Sequence, residues 1–113
     1  MIRPVLKNIF SPNILDLNNY KPDNPDRFML QLWLDIGIQG MKLNSSDTFL
    51  LTVCTPEWLQ NECTIKVTVW GHHMLIIQNF DIEIVQQKIE SYLTNIVGED
   101  WKEVAQKIGR IAA

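Results

Sequence analysis

Residues Phe28–Ile38 read FMLQLWLDIGI, and this stretch decides the fold class. Phe28, Leu30, Leu32, Leu34, Ile36 and Ile38 alternate with Met29, Gln31, Trp33, Asp35 and Gly37. Successive side chains of a strand point to opposite faces, so a period of two gathers the six apolar residues on one side. The next apolar run, Phe49–Cys54, follows a polar turn expected at Gly40–Asp47. A connection that short favours antiparallel pairing of the two runs.

Toward the N-terminus, residues 2–10 mix Ile2, Val5, Leu6, Ile9 and Phe10 with polar positions. They predict a first strand whose register the pattern leaves open. Residues 11–26 carry Pro12, Pro22 and Pro25 among Asn and Asp. Proline removes backbone donors and biases its predecessor away from helix, so a long loop is expected, with a turn of helix at Ile14–Leu17.

Toward the C-terminus, Thr55-Pro56-Glu57 has the form of a helix start, with Thr55 as N-cap and Pro56 at the first helical position. The short helix that follows carries Trp58 and Leu59. Ile65, Val67 and Val69 then alternate with Lys66, Thr68 and Trp70, which predicts another strand. Gly71–His72 is a turn, and Met74–Ile77 a further short strand. Ile82, Val85, Ile89, Tyr92, Leu93 and Ile96 recur at helical spacing behind a potential N-cap, Asp81, and Gly98 is placed to end that helix in a left-handed conformation. Trp101, Val104, Ala105 and Ile108 form a second stripe, with Gly109 as its stop. Trp58 and Trp101 sit among apolar neighbours and are assigned to the core. The expected fold is α+β: an antiparallel sheet of about four to five strands, with two C-terminal helices packed on one face. One domain is expected to occupy residues 1–113.

The composition suits a single-core soluble domain: 113 residues, 46% hydrophobic and 20% charged. A net charge of −3 argues against a nucleic-acid binder. The start, MIRPVLKNIFSPN, lacks the apolar run of a secretory signal, and no stretch is apolar for long enough to span a bilayer. Two cysteines are too few for a disulfide scaffold, so a cytoplasmic protein with reduced thiols is expected.

Cys54, Cys63, His72 and His73 are the possible metal ligands or nucleophiles. The cysteines are nine positions apart, unlike the close pairs of structural zinc sites. Adjacent histidines in a strand would point to opposite faces. No nucleophile elbow, phosphate-binding loop or H-E-x-x-H helix occurs. No catalytic residue, metal or cofactor is expected.

Two surfaces are candidates for binding a partner. If the helices cover one sheet face, the other presents Met29, Gln31, Trp33 and Asp35, joined by Lys66, Thr68 and Trp70. An aromatic among polar groups has the composition of an interface hot spot. The competing reading buries both tryptophans beneath the loop at 11–26 or within a homodimer. The second surface is acidic: residues 81–104 hold six carboxylates against two lysines. Glu99, Asp100 and Glu103 would steer a basic partner, although negative charge at a helix start also has a purely structural use.

The order and spacing of VCTPEWL (Val53–Leu59), LDIGIQG (Leu34–Gly40) and GEDWKEVAQKI (Gly98–Ile108) resemble the Immunity protein 8 family of bacterial polymorphic-toxin and contact-dependent inhibition systems. The resemblance covers nearly the whole chain. It implies a small cytoplasmic protein that binds a cognate toxin domain and protects the producing cell and its siblings without catalysis; the acidic segment would suit a toxin that is a basic nuclease. It assigns no interface residues. Relatives are expected to continue past the last helix into an aromatic, acidic tail where this sequence ends Ile111–Ala112–Ala113. The alternatives are a homo-oligomeric adaptor and a small enzyme using Cys54 or a histidine.

Overall fold

The computed structural model describes residues 1–41 and 46–113. Four strands run in the order β1 (Pro4–Phe10), β2 (Met29–Ile38), β3 (Asp47–Cys54) and β4 (Met74–Ile76). Helix α1 (Pro56–Lys66) joins β3 to β4, while α2 (Ile82–Thr94) and α3 (Trp101–Ile108) follow the sheet. The fold is therefore α+β, as the sequence pattern predicts.

The centre of the sheet is the β2–β3 pair, antiparallel from Met29↔Cys54 to Ile36↔Asp47. Leu32, Leu34 and Ile36 are fully buried on its inner face, beside Phe49, Leu51 and Val53 from β3. Burying one such side chain contributes roughly 1.5–3 kcal/mol, so this stripe anchors the sheet to its helices. β1 pairs antiparallel with the other side of β2, with a register shift between Leu6 and Asn8. The shift matters because Leu6 and Ile9 are three residues apart. Strict alternation would put them on opposite faces, and the extra residue at Lys7 turns both toward the core.

The helices close the inner face. Ile82, Val85, Ile89 and Leu93 of α2 are buried, as are Ile96 beyond it and Val104 and Ile108 of α3. Asp81 caps α2 as expected, accepting from the Glu83 and Ile84 N–H groups at 3.0 and 3.4 Å. Leu17 also reaches the core, from a 3₁₀ turn at Leu17–Asn19 that lies just beyond the turn expected at Ile14–Leu17.

Four expectations are corrected. Residues 65–70 are not a strand: α1 continues to Lys66, and Val67–Trp70 follow as irregular chain. The side of β3 that such a strand would need is occupied by β4 and by Ala113, whose backbone exchanges hydrogen bonds of 2.9 and 3.1 Å with Leu50. The sheet is consequently mixed. The chain reaches β4 through a helical crossover, and a crossover delivers a strand parallel to the one it left. Gly98 is not a left-handed cap. α2 ends at Thr94 with Asn95 as its C-cap, and Gly98 exchanges backbone hydrogen bonds with Ile2 at 2.7 and 3.0 Å, in a spot where a Cβ would meet Val104 at 3.0 Å. Trp58 is only half-buried and lies outside the core, because α1 buries none of its residues. Trp101 does pack against the core, and its indole N–H donates to the Asp47 carboxylate at 2.5 Å. Of the turn expected at Gly40–Asp47, residues 42–45 lie outside the described residues; Gly40 opens it with φ +86°, a conformation that favours glycine.

Candidate protein-interaction surface

The alternation that buries the inner face of β2 points Met29, Gln31, Trp33 and Asp35 the other way. Met29, Gln31 and Trp33 are exposed, Trp33 by 37% and Met29 by 44%, and Asp35 is half-buried. Among the described residues, these four side chains lie outside the core cluster that the helices share with the sheet. Residues 11–13 of the loop at 11–26 flank Trp33 without burying it, while farther along the loop Leu17 packs into the core and the Tyr20 ring meets Phe80 edge-on.

Register brings further residues to this face. Phe10 lies opposite Trp33 on β1, and the two rings stack with centroids 6.3 Å apart and planes 17° from parallel. Leu50 lies opposite Trp33 on β3. Thr48 stands opposite Asp35 and donates its hydroxyl to that carboxylate at 2.8 Å. An aromatic pair with an aliphatic neighbour therefore occupies the middle, with hydrogen-bonded polar groups beside it. Ser11, Pro12 and Asn13 rise next to β2 and enclose, with Met29, Gln31 and Trp33, a groove of about 290 Å³.

The other three residues assigned to this face are elsewhere. Lys66 ends α1 and pairs with Glu62 at 3.0 Å, one helical turn back. Thr68 and Trp70 lie in the irregular segment after it. Val67 there has a φ of +68°, and Trp70 projects outward, 91% exposed. The structure thus brings Met29, Gln31, Trp33 and Asp35 together and separates Lys66, Thr68 and Trp70 from the sheet. Sequence reasoning missed Phe10 and Leu50. Their places depend on cross-strand register, and the bulge at Lys7 hides the register of β1 from simple alternation.

Asp100 and Glu103 have structural tasks. Asp100 caps α3 by accepting from the Glu103 N–H at 2.9 Å. Glu103 reaches back to accept from the Glu99 N–H at 2.9 Å and pairs with Lys107 at 3.4 Å. The backbone hydrogen bond from Glu99 is the main reason its carboxyl group is held below the ordinary glutamate value, with Lys107 adding to the effect.

Cys54 is fully buried at the end of β3, and burial pushes its thiol pKa up, away from the reactive thiolate. Cys63 is exposed on α1. The rings of His72 and His73 lie 3.5 Å apart, and the Nε2 atom of His73 is 2.7 Å from the Gly109 carbonyl oxygen. Among the described residues, no three His, Cys, Asp or Glu side chains converge as a metal site would need, and no helix is long and apolar enough to cross a membrane.

The class this arrangement defines is a small α+β domain with helices on one side of its sheet and an open, aromatic-centred face on the other. A family model described as Immunity protein 8 matches residues 4–113, so the chain belongs to that family. No curated protein and no solved structure gave a match.

Proposed function

We propose that this protein neutralises a cognate bacterial toxin domain by binding it in the cytoplasm, without catalytic turnover, so protecting the producing cell and its siblings. The observation that carries this reading is membership of an immunity-protein family over essentially the whole chain. The open sheet face supports it physically, because Trp33 and Phe10 offer a rigid aromatic anchor beside a groove. In this reading Met29, Gln31, Trp33 and Asp35 contact the toxin together with Phe10 and Leu50. Glu99, Asp100 and Glu103 add a negative field that steers a basic toxin in addition to capping α3.

Co-expression with the toxin encoded beside the gene tests the function: the protein should restore growth and co-purify with the toxin. Trp33→Ala tests the face. It should weaken toxin binding by about 2 kcal/mol or more while the thermal unfolding transition stays cooperative. Full-strength binding by a folded Trp33→Ala variant rules the face out. Failure to protect against the adjacent toxin rules out the functional reading itself.

A further inference from the structure

The outer sheet face places a carboxylate beside an aromatic pair. Trp33 and Asp35 are two residues apart on β2, so their side chains leave the same face about 7 Å apart. The Phe10 ring stacks on Trp33 from β1, and the indole remains partly in solvent. Asp35 is half-buried, and one of its carboxylate oxygens accepts the Thr48 hydroxyl at 2.8 Å. Among the described residues, no lysine, arginine or histidine forms an ion pair with it. β2 and β3 carry no basic residue. Lys7 on β1 donates its ammonium to the Met41 carbonyl oxygen instead, at 2.7 Å.

A partner that covers Trp33 also takes the neighbouring Asp35 carboxylate out of water. One neutral hydroxyl does not replace that hydration, and a desolvated charge without a counter-ion opposes binding. The occupant of this face must therefore bring a cation. Arginine suits the place better than lysine. Its guanidinium is planar, so it can lie over the Trp33 ring while its N–H groups donate in the same plane. Asp35 has lone pairs left for such donors besides the one that Thr48 uses. Gln31, two residues before Trp33 on the same face, adds an amide oxygen on the other side of the ring. A lysine ammonium pairs as a point charge and has no plane to stack. Given the toxin reading above, on which this rests, we infer that the outer face recognises an arginine side chain of the toxin, stacked on Trp33 and paired with Asp35.

Calorimetry with the toxin encoded beside the gene tests this. Asp35→Asn keeps the shape and an acceptor for the Thr48 hydroxyl but loses the charge, and should raise the Kd about tenfold or more. Trp33→Leu keeps an apolar side chain without a π face and should raise it about fivefold. Far-ultraviolet circular dichroism and a cooperative thermal transition verify that both variants fold. Phenylglyoxal, which modifies arginine selectively, should leave one toxin arginine protected in the wild-type complex that it modifies in the free toxin. Replacing that arginine with lysine should weaken binding to the wild type and have far less effect on binding to Asp35→Asn. The protection measurement uses the wild-type chain, so it decides the matter even where a variant is unstable. Wild-type affinity in a folded Asp35→Asn, protection of no toxin arginine, or an equal loss against wild type and Asp35→Asn overturns the arginine contact while leaving the toxin reading in place. A wild-type chain that does not bind the toxin removes both.

Discussion

Helices α1 and α3 begin alike and end differently. Each follows a side-chain oxygen cap, Thr55 or Asp100, and each has a tryptophan in its first turn. α3 spans only 8 residues, yet Val104 and Ile108 are fully buried. α1 spans 11 residues and buries none. Spacing accounts for the difference. In α3, Trp101, Val104, Ala105 and Ile108 fall at i, i+3, i+4 and i+7 and form one stripe. In α1, the positions one turn before and after Trp58, Leu59 and Ile65 are mostly polar, so no continuous face exists to press against the sheet. A cap decides where a helix starts; an apolar stripe decides whether the helix joins the core.

The sharpest test of this contrast is truncation of one isoleucine in each helix. Ile108→Ala should lower unfolding stability by about 2–5 kcal/mol, because it leaves a cavity in a closed core. Ile65→Ala should change stability by no more than about 0.5 kcal/mol, as for other exposed positions. Chemical denaturation of both variants reads the difference. Comparable losses would mean that α1 is held to the domain as firmly as α3.

Thr55 gives the next largest effect. It is fully buried, and its hydroxyl oxygen accepts from the Trp58 N–H at 3.4 Å and from the Phe28 N–H at 3.2 Å. The same oxygen thus starts α1 and ties it to the entry of β2. Thr55→Ala leaves the Phe28 N–H without this partner and should cost about 1–3 kcal/mol, with Thr55→Ser recovering most of it. If the serine variant is as unstable as the alanine variant, the methyl group rather than the hydroxyl holds this corner.

The contrast also explains how much of the molecule the residues disclose by themselves. β2, β3, α2 and α3 are legible because their apolar positions repeat against a single core, and periodicity reports burial. The outward row from Met29 to Asp35 is legible for the same reason. The segment 65–70 misleads because Ile65, Val67 and Val69 imitate a half-buried strand, although among the described residues no strand pairs with them. Alternation records where β-branched residues fall; a strand also requires an edge to pair with, and edges are set by distant chain such as Met74–Ile76 and Ala113. The parallel β3–β4 pair follows from the same long-range competition. Phe10 joins the candidate face through a bulge, a one-residue event that leaves no periodic trace.

Val67 tests that misreading at smaller amplitude. Its φ of +68° is one that a β-branched side chain disfavours, and the side chain is too exposed to contribute much by burial. Glycine adopts this conformation without the Cβ conflict. Val67→Gly should therefore stabilise the protein by about 1 kcal/mol, seen as a higher denaturation midpoint with an unchanged slope. Were residues 65–70 a strand, the same substitution would destabilise it, so the sign of the change separates the two conformations.

The smallest effect belongs to the start of α3 and is best read through pH. Glu103 accepts the Glu99 N–H and faces Lys107, and both interactions favour the charged carboxylate, placing its folded-state pKa below the ordinary value of 4.5. A carboxyl group whose pKa falls on folding binds protons more readily in the unfolded chain. Its contribution is therefore complete above the ordinary value and disappears as pH drops through the lowered one. Glu103→Gln retains an oxygen for the Glu99 N–H but removes the charge. The stability gap between wild type and this variant should be constant near neutrality and close on acidification below the ordinary glutamate range. It should also shrink in high salt, because the carboxylate is nearly half-exposed and screened by solvent. A gap that survives acidification would show that shape, not charge, is what Glu103 contributes to the cap. α1 lacks the equivalent reach-back: three residues beyond its Thr55 cap stands Trp58, with no carboxylate to titrate.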